Sequence, residues 1–308
     1  MPRYKQTILA TCCVPWNADG TLAESIFRES IRGLIAQGIP DLYIFGTAGE
    51  GYAVTDSQFD RIARVFVEEM QAANAEPMVG ALSLSLPTII ERIERAGKLG
   101  VRQFQISLPS WGALSDKELE TFFQEVCGRF PEFQFLHYNL PRTKRIVMPQ
   151  EYATLAARHP NLVATKCAVG EVGVIAGLLQ YAGELRHFFT EQNFAAASLL
   201  GECGFLISLA SINPRRARQY FEAGAARDGE TLRAMRAELM GLHAELMKAA
   251  GPAPMIDGAY DKIFSRMHVA EFPLRLLPPY QSISDAGFEQ FRAAVGEKYP
   301  AWLPDGNI

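Results

Sequence analysis

The sequence predicts an α/β fold in which eight parallel strands close into a (β/α)8 barrel, with a helical extension at the C-terminus. Short apolar, β-branched runs alternate with longer amphipathic stretches at about thirty residues per unit, the pattern of repeated strand-helix units. Residues 133–138 and 162–166 are buried-looking runs with the helix-like residues 149–159 between them, a βαβ unit that implies parallel pairing. No G-x-G-x-x-G follows the first strand, so the open sheet of a dinucleotide-binding domain is not indicated. The expected architecture is a TIM barrel.

In chain order, residues 7–14 read as the first strand, and residues 22–37 follow with helical spacing at Ile26, Ile31, Leu34 and Ile35 until Gly38 ends them. Residues 41–45 are the second strand, and 58–73 a helix with Phe59, Ile62, Ala63, Phe66 and Met70 on one face. The third strand, 77–81, leads to a helix ending at Leu99, and the fourth, 103–108, to a helix over 116–128. The runs 133–138 and 162–166 are the fifth and sixth strands. The seventh, 186–190, precedes a helix from Phe194, and the eighth, 205–209, a helix from Pro214. Beyond Asp228 no run is strand-like, and 232–249 and 284–298 read as helices. Residues 1–227 are therefore expected to form the barrel and 228–308 a helical extension packed on it, since no glycine- or serine-rich linker separates them.

The 308 residues are 48% hydrophobic and 21% charged with a net charge of −4, which suits a globular enzyme and points away from nucleic acid. The N-terminus lacks the apolar core of a signal peptide, and no apolar run approaches a membrane span, so a cytoplasmic protein is expected. Cys12, Cys13, Cys127, Cys167 and Cys203 are odd in number and form no C-x-x-C pair, so reduced thiols are expected. Cys167 follows Lys166 and should point to the opposite face, as a buried small hydrophobe instead of a nucleophile. The scattered histidines have no metal-ligand spacing, and no metal site is expected.

Chemistry concentrates at the C-terminal ends of strands, where barrel enzymes place their catalytic groups. Tyr138 and Lys166 end neighbouring strands. A partly desolvated lysine loses its proton more easily, and its amine can attack the ketone of a 2-oxo acid to form a Schiff base while a phenol moves the protons. A strand-end lysine that merely reaches solvent is the alternative. After the second strand, Gly46-Thr47-Ala48-Gly49-Glu50-Gly51 is a turn whose amides, with the Thr47 hydroxyl, can cradle a carboxylate, although such a turn can also be a ligand-free βα loop.

Together with Tyr138-Asn139-Leu140-Pro141, Lys166, Gly201-Glu202-Cys203-Gly204 and Pro252-Ala253-Pro254, this turn resembles the dihydrodipicolinate synthase and N-acetylneuraminate lyase family over almost the whole chain. The resemblance implies a class I lyase or aldolase without metal or organic cofactor, assembled as a homotetramer or dimer. It implies Lys166 as the imine-forming residue and Tyr138 as the proton shuttle. Thr47, with the amides of Thr47 and Ala48, would hold the substrate carboxylate, and Gly49 and Glu50 would shape the turn.

Departures from the synthase branch bear on the substrate. Ala48 stands where that branch has a second threonine hydroxyl, and Leu108-Pro109-Ser110-Trp111 replaces a T-P-Y-Y segment whose tyrosine pair connects the proton relay to solvent. An indole cannot shuttle a proton. Trp111 is expected to pack at a subunit interface or stack on substrate, Ser110 to offer a hydroxyl to a sugar-like chain, and Arg142 to hold a distal acid group or stay solvated. The expected function is a Schiff-base lyase acting on pyruvate or another 2-oxo acid by cleavage, condensation or dehydration, with a 2-keto-3-deoxy sugar acid as the leading substrate. The alternatives are 4-hydroxy-tetrahydrodipicolinate synthase and, in another class, a non-catalytic barrel that binds a 2-oxo acid.

Overall fold

The computed structural model describes residues 3–304. Eight strands, β1 (Ile8–Thr11), β2 (Leu42–Ile44), β3 (Met78–Gly80), β4 (Gln103–Ile106), β5 (Gln134–Asn139), β6 (Leu162–Cys167), β7 (Arg186–Phe189) and β8 (Gly204–Ile207), pair in parallel in sequence order. The ladder of Ile8, Leu9 and Ala10 with Phe205, Leu206 and Ile207 closes the barrel. The intervening helices are α1 (Glu24–Ala36), α2 (Asp56–Ala72), α3 (Leu86–Lys98), α4 (Asp116–Phe123), α5 (Pro149–Arg158), α6 (Val172–Tyr181), α7 (Glu191–Leu200) and α8 (Pro214–Ala225). Three more follow, α9 (Gly229–Ala250), α10 (Asp257–His268) and α11 (Asp285–Lys298).

Strand alternation divides the core. Leu9, Tyr43, Met78, Leu136, Ala164, Phe188 and Leu206 point inward and fill the barrel, whose floor Tyr4 seals with its hydroxyl donating to Gln103. Ile8, Ala10, Leu42, Ile44, Phe135, Cys167, Phe205 and Ile207 point outward to the helices. The same parity turns Thr11, Tyr138 and Lys166 toward the axis.

Several boundaries differ from the sequence reading for local reasons. α2 starts two residues before Gln58 because Thr55 and Gln58 form a capping box, and Ser115 and Glu118 do the same for α4. The helix α7 begins at Glu191, three residues earlier than expected. β1 is shorter than expected, since the chain beyond Thr11 leaves the ladder toward Pro15. The helix α10 was not anticipated at all. Its apolar stripe of Ala259, Ile263, Phe264 and Met267 is interrupted by Gly258, Asp261 and Lys262, all of them buried.

Those interruptions attach α10 to the barrel. Lys262 Nζ lies 2.6 Å from Glu50 Oε1, both residues fully buried. Glu50 also accepts from Trp16 Nε1 and from the Leu277 amide, each at 2.8 Å, so its lone pairs are spread over three partners. Removing one member of such a pair strands a charge in the core, at a cost of about 3–5 kcal/mol. Lys262→Met should therefore lower stability by about that much in denaturant titration, far more than the near-zero effect expected for the exposed Lys248→Met.

Candidate active site

Lys166 ends the inward face of β6 directly opposite Tyr138 of β5 in the strand register. Its side chain is 8% exposed, so the alternative of a lysine reaching solvent is not what the structure has. The ammonium sits 3.9 Å from the centroid of the Tyr138 ring and donates a hydrogen bond of 3.1 Å to the Tyr43 hydroxyl. Burial, the largest single influence, pulls the Lys166 pKa down, but Tyr138, Tyr43 and Asp257 outweigh it and hold the group above the usual lysine range. The desolvation expected to ease loss of the proton is thus present, and the groups around the nitrogen oppose it. The cation is solvated by aromatic faces and a phenol oxygen, so its proton must be carried off before the nitrogen can attack a carbonyl.

The inward face of β2 brings Tyr43 to the lysine, and the turn that follows is tightly folded. Phe45 and Glu50 both have positive φ, at 61° and 54°, and the amides of Glu50 and Gly51 bond back to Thr47 and Gly46. A Cβ on Gly51 would lie 2.3 Å from the Phe45 carbonyl oxygen, and one on Gly46 would lie 2.7 Å from the Tyr43 ring. Thr47 and Ala48 are buried in this turn. The Ala48 methyl packs with Cys13, Val269 and Phe272, which leaves its backbone amide as the group able to meet a ligand. Glu50 is turned away into its ion pair with Lys262, and Gly49 lies against the backbone of Phe45 and Cys12.

The basic segment after β5 resolves into three roles. Arg142, on a single 3-10 turn (Pro141–Thr143), makes a two-point contact with Asp257 at 2.7 and 3.1 Å, so its charge is neutralised at the mouth. Lys144 donates to the Trp111 carbonyl at 2.6 Å, and Arg145 is held by Glu151, Asp116 and the Leu114 carbonyl. Ser110 is half-buried on the loop after β4, whereas Trp111 is 82% exposed. Cys167 is buried on the helix side of β6, and all five cysteines are free. Among the described residues no cluster of potential metal ligands is present, and no helix is long and apolar enough to cross a membrane.

Residues 5–297 match the model of the dihydrodipicolinate synthetase family. The chain belongs to this family. A 4-hydroxy-tetrahydrodipicolinate synthase of Azoarcus sp. is 27% identical over 285 residues, covering 91% of this chain and 95% of that protein. One from Exiguobacterium sp. is 25% identical over 253 residues, covering 81% and 84%. Among solved structures, a prophage protein of the dihydrodipicolinic acid synthase family from E. coli K12, in complex with pyruvate, superposes with a TM-score of 0.83 at 17% identity over 95% of this chain and 98% of that one.

Two features of this family member escaped the sequence reading. Tyr43 lies in the apolar triplet of β2 and looked like core, and only the inward parity shared with Lys166 marks it. Asp257 and Asp261 reach the mouth from α10, a helix the periodicity concealed. Gln105, also turned inward, holds buried polar atoms without a partner among the described residues, the sign of a group that meets water or substrate. The Gly51→Ala variant tests the turn: the clash with Phe45 should cost about 1–3 kcal/mol in denaturant unfolding.

Proposed function

We propose that the protein is a class I lyase in which Lys166 forms a Schiff base with pyruvate or a longer 2-oxo acid. The observation that carries this reading is a lysine buried at the mouth of a closed barrel between two phenols, beside the glycine-rich turn that follows β2. Among the described residues a cation placed there has no counter-ion in contact, and it serves no packing purpose that a leucine would not serve better. Thr47, with the amides of Thr47 and Ala48, receives the carboxylate. Once the nitrogen is neutral it attacks the ketone, and loss of water gives an imine that withdraws electrons from the neighbouring carbon. Tyr138, whose ring covers the nitrogen and whose phenol feels the Arg142 charge, moves protons between the nitrogen, the substrate carbon and a leaving or entering oxygen.

A 2-keto-3-deoxy sugar acid is the substrate class the mouth suits. Arg142 is already engaged by Asp257, which makes the rim a poor receptor for a second carboxylate and a good one for hydroxyls that bridge the two side chains. Ser110 offers a further hydroxyl. The synthase reading retains support from the names of the curated relatives. Against it, the Ala48 methyl and the exposed Trp111 supply no hydroxyl for proton exchange. A barrel that only binds a 2-oxo acid would not require a buried lysine. The exposed indole of Trp111 is also the kind of surface that a second subunit covers, in keeping with a homotetramer or dimer in the cytoplasm.

Three outcomes check the proposal. Borohydride with pyruvate should add one reduced adduct per chain at Lys166, and Lys166→Ala should give none; an adduct persisting in that variant would sink the assignment. Tyr138→Phe should lower turnover by about two to four orders of magnitude while the adduct still forms slowly. In steady-state assays a 2-keto-3-deoxy sugar acid should have a higher kcat/KM than pyruvate with aspartate semialdehyde, and Asp257→Ala, by freeing Arg142, should shift preference toward substrates with a second carboxylate.

A further inference from the structure

The groups at the mouth leave open where the proton of the Lys166 ammonium goes. Tyr43 accepts the ammonium's hydrogen bond on its oxygen, so its own O–H is directed elsewhere. The Thr11 hydroxyl is buried beside that phenol, within hydrogen-bonding reach of it. Thr11 also lines a cavity of about 110 Å³ between the end of β1, α1 and α10. Thr11 and Asp261 line this cavity together with the exposed Glu29 and Gln37, so it reaches from the end of β1 to the surface. The volume suffices for several waters, and the Thr11 hydroxyl, which can donate as well as accept, gives them an anchor. Asp261 is 7% exposed, accepts from Ser208 Oγ at 2.5 Å, and lies within electrostatic reach of Lys166.

We propose that this cavity is the proton path of the active site, and that Lys166 is deprotonated rearward, through Tyr43, Thr11 and cavity water, onto the Asp261 carboxylate. The proposal rests on the imine reading of Lys166. The transfer balances: the Nζ proton passes to the Tyr43 oxygen as the phenol's own proton passes to Thr11. The threonine's proton goes to a water, and a proton of that water goes to Asp261. Each oxygen along the way gains one proton and loses one, the amine is left neutral with its lone pair free, and Asp261 becomes a neutral acid that re-equilibrates with solvent through the cavity. Reversal returns the proton when product is released. This route would serve where the hydroxyls of the synthase branch are replaced by Ala48 and Trp111.

Asp261 is suited to the task by its surroundings. Burial pushes its carboxyl up to about 7, with Asp257 on its own helix and Glu191 at the head of α7 adding to the rise, while Ser208 and the Lys166 ammonium oppose it. Cys13 faces it from the end of β1 and is itself raised well above the usual thiol range, chiefly by burial, so it stays neutral. Lys262 is turned to Glu50, and Glu29 and His268 stand on the cavity wall. With an acceptor of this strength, a proton leaves more readily as pH rises through neutrality, so imine formation should accelerate from below to above about pH 7.

The experiment is rapid-quench borohydride trapping of the pyruvate adduct across that pH range. Wild type should show an inflection near pH 7 in the rate of adduct formation. Asp261→Asn keeps the Ser208 hydrogen bond and cannot accept the proton; it should lose the inflection and form the adduct about a hundredfold more slowly, the low end of general acid-base effects. Thr11→Val should slow the step similarly, Thr11→Ser should restore it, and the double variant of Asp261→Asn with Thr11→Val should be no slower than either single one. An inflection that survives in Asp261→Asn, or additive losses in the double variant, overturns the path. Failure of wild type to form any adduct overturns both the path and the imine reading beneath it.

Discussion

A cation held inside a closed barrel is the constraint from which the rest of the site follows. An isolated buried ammonium is expensive, and the structure offsets that cost without giving Lys166 a carboxylate in contact. The face of Tyr138 and the oxygen of Tyr43 do it instead, by quadrupole and dipole. On the proposed imine chemistry a contact carboxylate would hold the proton too firmly for an amine that becomes the nucleophile. Two phenols solvate the cation and also supply oxygens through which a proton can move. Placing Tyr43 there imposes its own demands, since Gly46 must lack a side chain beside the ring and Phe45 must take a left-handed conformation to turn the chain away.

The helices after the barrel belong to the same electrostatic arrangement. Glu50 points from the turn after β2 into the protein, where Lys262 of α10 neutralises it, so the turn presents no carboxylate charge to an anion of the proposed kind. The same helix brings Asp257 to Arg142 and Asp261 to Ser208. One helix thus sets three charges around the mouth, each paired or protonated in a different way. That dependence gives the family chain a reason to carry an extension on an already closed barrel: without α10 the turn would lose its clasp and the rim its balance.

How far the site could be read from residues alone follows the same division. The strands were legible because each is a short apolar run between helices of clear periodicity, and Lys166 and Tyr138 stood out as polar endings of such runs. Tyr43 did not stand out, because a tyrosine between leucine and isoleucine is what a core strand ordinarily contains, and only its pairing across the barrel gives it chemistry. The helix α10 was hidden for the opposite reason. Gly258, Asp261 and Lys262 occupy positions of its buried face, so the residues that do the electrostatic work erased the amphipathic pattern that would have announced the helix. Arg142 was legible as a basic residue near the mouth but not as one half of a pair, since its partner lies more than a hundred residues away on that unrecognised helix.

The Ala48 position shows how packing and specificity are coupled. Read as a motif, alanine is a lost hydroxyl. In the structure its methyl closes an apolar cluster with Cys13, Val269 and Phe272, where α10 and the segment after it meet the barrel. A threonine at this position would bury its hydroxyl among those apolar groups unless the cluster changed with it, and an unpaired buried hydroxyl costs about 1–3 kcal/mol. The alanine is therefore tied to the seating of the extension, and the extension in turn supplies Asp257 and Asp261. A switch of chemistry toward the synthase pattern would need the turn, the cluster and the acids of α10 to change together. In this chain the position is better described by how the C-terminal helices are docked than by the absence of one hydroxyl.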